Sequence, residues 1–113
     1  MGTRALSKTE WHAYCDRISK GLVGKPAQIE VAALALGDQT AAKSLPLLGI
    51  TYDQKNDLIE IALEGFDHLV RRPQGIFVDE GPEGLVSMEV VDSDQRHQII
   101  KLLQPLMLPP PHK

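Results

Sequence analysis

The stretch that decides the fold is Leu45-Pro-Leu-Leu-Gly-Ile-Thr-Tyr-Asp-Gln-Lys-Asn-Asp-Leu-Ile-Glu-Ile-Ala-Leu-Glu64. Two apolar runs flank a polar loop at residues 53–57, which is the pattern of a β-hairpin. In the second run apolar and polar side chains alternate, so the strand has one apolar face and one polar face. The apolar positions are Ile59, Ile61 and Leu63.

The first run contains Pro46, which has no N–H to donate to a ladder. The strand around it is therefore predicted to lie at a sheet edge or to carry a bulge. Working outward, further apolar runs separated by turn residues predict a series of strands. They cover residues 28–36, 40–53, 58–64, 76–79, 85–91 and 96–103, and residues 65–73 form a short strand or a helical turn.

A helix over about residues 8–22 precedes the strands. Ser7 followed by Glu10 fits a capping box, and Pro26 prevents continuation beyond the helix. Apolar side chains recur at spacings of three and four and form one stripe. The stripe consists of Trp11, Tyr14, Cys15, Ile18 and Leu22.

These elements predict an α+β fold, in which the N-terminal helix packs on a five- or six-stranded antiparallel sheet. No second helix is available for parallel crossovers, so short turns must join antiparallel neighbours. We expect the sheet to be strongly bent or barrel-like, with the helix covering one opening. Residues 1–104 are predicted to form a single compact domain, followed by a Pro-rich tail over residues 105–113.

The charge of the chain restricts its partners. The net charge is −3, yet residues 1–46 carry six basic and four acidic side chains, and the remainder carries six basic and eleven acidic ones. A nucleic-acid surface needs a concentrated basic face, so this balance disfavours nucleic acid. No stretch resembles a signal peptide or a membrane span, and we expect a cytoplasmic protein without a membrane partner.

Known catalytic and metal-binding patterns are not found in the sequence. The single cysteine, Cys15, excludes an intramolecular disulfide and any Cys-based zinc site. A nucleophilic Cys15 is the sharpest enzymatic hypothesis, but its place on the apolar stripe favours core packing. The acidic residues at 53–57, 79–83 and 92–94 are typical of solvated turns. We therefore predict no catalytic residue, no metal site and no cofactor.

The segment from Asp67 to Pro73 is the strongest candidate for a ligand site. His68, Arg71 and Arg72 combine an imidazole with two guanidinium groups, which bind carboxylate and phosphate through paired hydrogen bonds. The more common arrangement is a surface ion pair, which contributes little. In that case the arginines would pair with glutamates at positions 60, 64 or 89.

Three short motifs resemble those of a family of small bacterial proteins known only as a domain of unknown function. They are Gly49–Asp53, Asp67–Leu69 and Glu89–Asp92. The resemblance covers most of the chain after Leu45. It implies a bacterial origin, and it implies no activity and no functional residue.

Two functional hypotheses follow. The first is a non-enzymatic protein-interaction module, with self-association as one form, because Pro46 indicates an edge strand and Leu106 to Leu108 are apolar. The alternative is a binder of a small anionic ligand or RNA through His68, Arg71 and Arg72.

Overall fold

The computed structural model describes residues 2–22, 25–33, 37–82 and 84–106. A 3-10 turn at Lys8–Glu10 leads into one α-helix, α1 (Trp11–Leu22), and the capping box of Ser7 and Glu10 is formed. The strands are β1 (Gly2–Leu6), β2 (Lys25–Ala33), β3 (Gly37–Asp53), β4 (Leu58–Leu63), β5 (Phe66–Arg71), β6 (Pro73–Gly81), β7 (Gly84–Asp92) and β8 (His97–Leu106).

All eight strands belong to one antiparallel sheet in the order β1-β6-β7-β8-β2-β3-β4-β5. The α+β class, the N-terminal helix and the antiparallel pairing are confirmed. The sheet was predicted to be strongly bent or barrel-like, and it is not closed into a barrel, because no ladder in the described chain joins the terminal strands β1 and β5. After β5 the chain passes through one residue into β6, and β6 pairs with β1 and β7 instead.

The predicted number of strands, five or six, is too low. β1 was not predicted because its mostly exposed residues show no apolar alternation. It belongs to the sheet through main-chain pairing with β6. β5 is a strand of its own, and this resolves the ambiguity at residues 65–73. β8 extends to Leu106, so residues 105–106 of the predicted tail lie in the sheet. Residues 34–36 and 107–113 lie outside the described part.

β3 is an interior strand, in contrast to the predicted edge. Residues 37–47 pair with β2, and residues 47–53 pair with β4. The register places Pro46 opposite Pro26, and a register shift follows between Leu47 and Gly49. The structure thus shows the bulge that proline indicated, but not the edge.

The predicted apolar faces meet in one core. On α1, the side chains of Trp11, Tyr14, Cys15 and Ile18 are at most 3% exposed. On β4, the burial alternates as predicted, with Ile59, Ile61 and Leu63 inward. Cys15 is 1% exposed, and burial raises the pKa of its thiol to about 12, so its role is packing.

The C-terminal half of β3 extends beyond the β2 ladder, and α1 covers this part of the strand. The Ser19 hydroxyl donates to the Ile50 carbonyl at 2.7 Å and accepts from the Ile50 N–H at 2.9 Å. Residue 49 is a glycine for a steric reason, since a Cβ there would lie 3.2 Å from Ser19 Oγ. The helix therefore takes the place of a neighbouring strand.

Candidate functional site

The corner between β5 and β6 holds an unusual backbone. Arg72 alone joins the two strands, and it has a left-handed φ of +52°. This conformation is disfavoured for an L side chain, and the following proline restricts the residue further. Two hydrogen bonds hold it: the Arg72 N–H donates to the Asp57 carbonyl at 2.9 Å, and the Gln74 amide donates to the Arg72 carbonyl at 3.1 Å. Such a residue marks a candidate functional position.

The loop between β7 and β8 forms the opposite wall. The carboxylate of Asp92, which is 7% exposed, accepts the N–H groups of Asp94 at 2.9 Å and Arg96 at 3.0 Å. The Asp92 N–H in turn donates to the Arg96 carbonyl at 3.0 Å. Because its negative charge is directed into the loop backbone, Asp92 fixes the position of Arg96.

These two walls enclose a cleft of about 300 Å³. All three site residues predicted from the sequence line it, together with residues of the β7–β8 hairpin. The lining consists of His68, Leu69, Arg71, Arg72, Asp92, Asp94, Arg96 and Gln98. Arg96, Asp92 and Gln98 were not predicted as site residues, because they lie far from β5 in the sequence and only the tertiary fold brings them to the same cleft.

The guanidinium groups of the cleft form no ion pair with any residue that the structure describes. Among the described residues, no carboxylate lies within 4.0 Å of the charged nitrogens of Arg71, Arg72 or Arg96. Of the glutamates considered as partners, Glu89 contacts His97 instead. Arg4 shows the opposite arrangement, since it contacts both Glu10 and Glu80.

His68 lies at the inner side of the cleft. Burial lowers the pKa of His68 below the ordinary value of 6.5, against the opposing effects of a hydrogen bond with Gln98 and the charge of Asp92. Gln98 is 3% exposed, and its amide donates to the carbonyls of Val90 at 3.0 Å and Arg96 at 2.9 Å. Burial thus favours the neutral form of the imidazole, and the fixed positive charges of the cleft are those of its arginines.

Two larger depressions flank the turn between β3 and β4, with volumes of about 480 and 550 Å³. Their charges are mixed: Lys8 lies 4.0 Å from Asp57 in one, and Lys55 shares the other with Asp53 and Glu60. Each contains one lysine, whereas the cleft is lined by three arginines. In the described ranges, no group of three or more His, Cys, Asp or Glu side chains could hold a metal ion.

The fold and the cleft define a small α+β domain with an open antiparallel sheet and an arginine-lined corner. The chain matches the model of a family of unknown function, DUF5335, over residues 2–111, and it belongs to that family. It is 37% identical over 110 residues to an uncharacterised protein of Aquifex aeolicus (strain VF5), an alignment that covers 96% of this chain and 99% of the relative. The resemblance inferred from the three motifs is thereby confirmed.

No solved structure matches the chain significantly. Within the described residues, none of the helical structure has the length and apolar character needed to cross a membrane.

Proposed function

We propose that the cleft between the β5–β6 corner and the β7–β8 loop binds a small oxyanion, the phosphate or carboxylate group of a ligand. The observation that carries the proposal is that Arg71, Arg72 and Arg96 line one cleft without ion-pair partners among the described residues. Guanidinium groups bind such anions through paired, charge-assisted hydrogen bonds. The His68 imidazole supplies a further polar group beside them.

The cleft favours this function over RNA binding. Its volume of about 300 Å³ suits a single phosphate or a small carboxylate, and the surrounding sheet carries a net negative charge. We propose binding without catalysis, because the one thiol is buried and its pKa is raised to about 12. The cytoplasm is the expected setting for such a domain.

The test is a titration of the protein with inorganic phosphate, and separately with citrate, followed by amide chemical shifts. We expect saturable shifts confined to residues 68–72 and 92–98. Arg72→Gly removes the guanidinium and relieves the positive φ, so it should weaken phosphate binding at least about tenfold without lowering the melting temperature. Arg72→Lys, which retains a charge, should bind more tightly than Arg72→Gly.

The matched control is Lys55→Ala, which removes one positive charge from an exposed turn outside the cleft. It should leave phosphate binding within about twofold of the original protein. Shifts that do not saturate, or equal weakening by Lys55→Ala and Arg72→Gly, would contradict the proposal.

A second candidate function is protein contact, the first hypothesis from the sequence. Its original support is reduced, since Pro46 lies in an interior strand. A different observation favours it: β5 is a terminal strand of the sheet, and its Leu69 side chain is 44% exposed. Light scattering across a concentration series tests self-association directly.

A further inference from the structure

The open edge of β5 exposes main-chain groups in a defined pattern. The Arg72 N–H bonds the Asp57 carbonyl in the continuing β4–β5 register. Because hydrogen-bonded and non-hydrogen-bonded pairs alternate in antiparallel ladders, His68 and Val70 direct their main-chain groups toward β4. The main-chain groups of residues 67, 69 and 71 therefore point away from β4, where no strand of the described chain pairs with them.

The side chains of the same three residues lie together on the outward face of β5. Asp67, Leu69 and Arg71 are all exposed. Their order is acidic, apolar, basic, so the pattern is complementary to itself when the strand direction is reversed. Such a pattern is what a two-fold symmetric contact between identical strands requires.

We propose that two copies of this chain pair through their β5 edges as antiparallel strands, with the two-fold axis at Leu69. Leu69 then lies opposite Leu69 of the second copy, and Asp67 lies opposite Arg71 of the second copy. The main-chain groups of these residues satisfy one another across the axis. The apolar pair and two ion pairs all lie on the outward face of a sheet that continues through both copies.

The other terminal strand does not offer this complementarity. In β1 the central charged residue is Arg4, and antiparallel self-pairing about it would place two guanidinium groups opposite each other. Arg4 is moreover engaged with Glu10 and Glu80 within the chain. The partner of β5 is therefore a second β5.

The contact is small, and this determines the expected affinity. A strand of six residues spans about 20 Å, so the buried area falls at the low end of specific interfaces. We expect a reversible dimer that forms in the range of about 10 µM to about 1 mM. Leu69 and Arg71 take part in this contact and also line the cleft, whereas Arg72, Arg96 and His68 belong to the cleft alone.

The test is sedimentation equilibrium over that concentration range with three variants. Asp67→Arg places like charges opposite each other and should raise the dissociation constant at least about tenfold, as should Arg71→Asp. The double variant D67R/R71D exchanges the two charges and should restore the dimer. Circular dichroism and thermal unfolding of all variants check that the monomer is folded.

A monomer mass at all concentrations up to about 1 mM, or a double variant that stays monomeric although it is folded, overturns the proposal. Asp67 does not line the cleft, so Asp67→Arg should leave the phosphate-induced shifts of residues 68–72 in place. The two proposals can therefore fail separately. If the original protein stays monomeric but binds phosphate, only the dimer is contradicted, and if it dimerises without saturable phosphate-induced shifts, only the anion site is contradicted.

Discussion

The C-terminal half of β3 and the whole of β5 each have one edge without a neighbouring strand in the described chain. Their main-chain groups differ in whether another part of the fold covers them. Beyond the β2 ladder, the edge of β3 is closed by α1, and Ser19 bonds both main-chain groups of Ile50. The edge of β5 has no covering strand in the described chain, and its outward residues are exposed. One edge is completed within the fold, and the other has no strand beside it among the described residues.

The polar side chains near these two edges also differ in whether they are bonded to other side chains of the molecule. Near the helix they are engaged internally, as in the hydrogen bond of 2.7 Å from the Tyr14 hydroxyl to Glu80. Near β5 the arginines of the cleft form no ion pair with a described residue. Because binding requires groups that are not already satisfied, we expect stability to depend on the α1–β3 region and binding to depend on the β5 region.

The largest effect that we expect is a difference in unfolding free energy between a substitution in the α1–β3 region and one on the β5 edge. Ile18 is 0% exposed between α1 and the sheet, so Ile18→Ala should lower the free energy of unfolding by about 2–5 kcal/mol. Leu69→Ala on the β5 edge should change it by less than about 0.5 kcal/mol. Urea denaturation at low micromolar concentration measures both, and similar losses would show that the β5 edge is also part of the stabilising core.

The parts of the fold that depend on side-chain periodicity could be predicted from the sequence. The alternation of Ile59, Ile61 and Leu63 identifies the buried face of β4, and the stripe from Trp11 to Ile18 identifies the inner face of α1. Burial follows side-chain chemistry directly, so the pattern is visible without knowledge of the neighbours. The adjacency of His68, Arg71 and Arg72 could also be predicted, because these residues are close together in the sequence.

Features that depend on distant main-chain pairing could not be predicted. β1 is held to β6 across more than sixty intervening residues, and nothing in its five residues indicates that partner. Arg96 reaches the cleft only because the β7–β8 loop folds toward β5. The positive φ of Arg72 could not be predicted either, because such a position is normally occupied by glycine or asparagine and here it is an arginine.

The next effect tests how the edge of β3 is closed. Ser19→Ala removes the partner of two main-chain groups, and leaving them unsatisfied should cost about 1–3 kcal/mol of unfolding free energy. Ser93→Ala, at an exposed position in the β7–β8 loop, is the matched control and should be close to neutral. Equal values for the two serines would mean that α1 covers β3 by apolar contact alone.

The smallest effect concerns the inner face of β5 and appears as a dependence of stability on pH. Burial lowers the pKa of His68 in the folded protein below 6.5, so near that pH the unfolded chain binds a proton that the folded chain does not. The contribution of His68 to stability is therefore complete above about pH 7 and is lost as the pH falls through the pKa of the folded state.

Urea denaturation of His68→Gln between about pH 7.5 and about pH 5 isolates this contribution, because the variant should lose less stability on acidification than the original protein. His12→Gln is the matched control, since it replaces an exposed histidine on α1, outside the cleft, by the same residue. If His68→Gln keeps the original profile, the imidazole is as well solvated as the outward face of β5. In that case the uncovered strand is open to water on both faces, and the contrast with the closed edge of β3 is larger than the structure indicates.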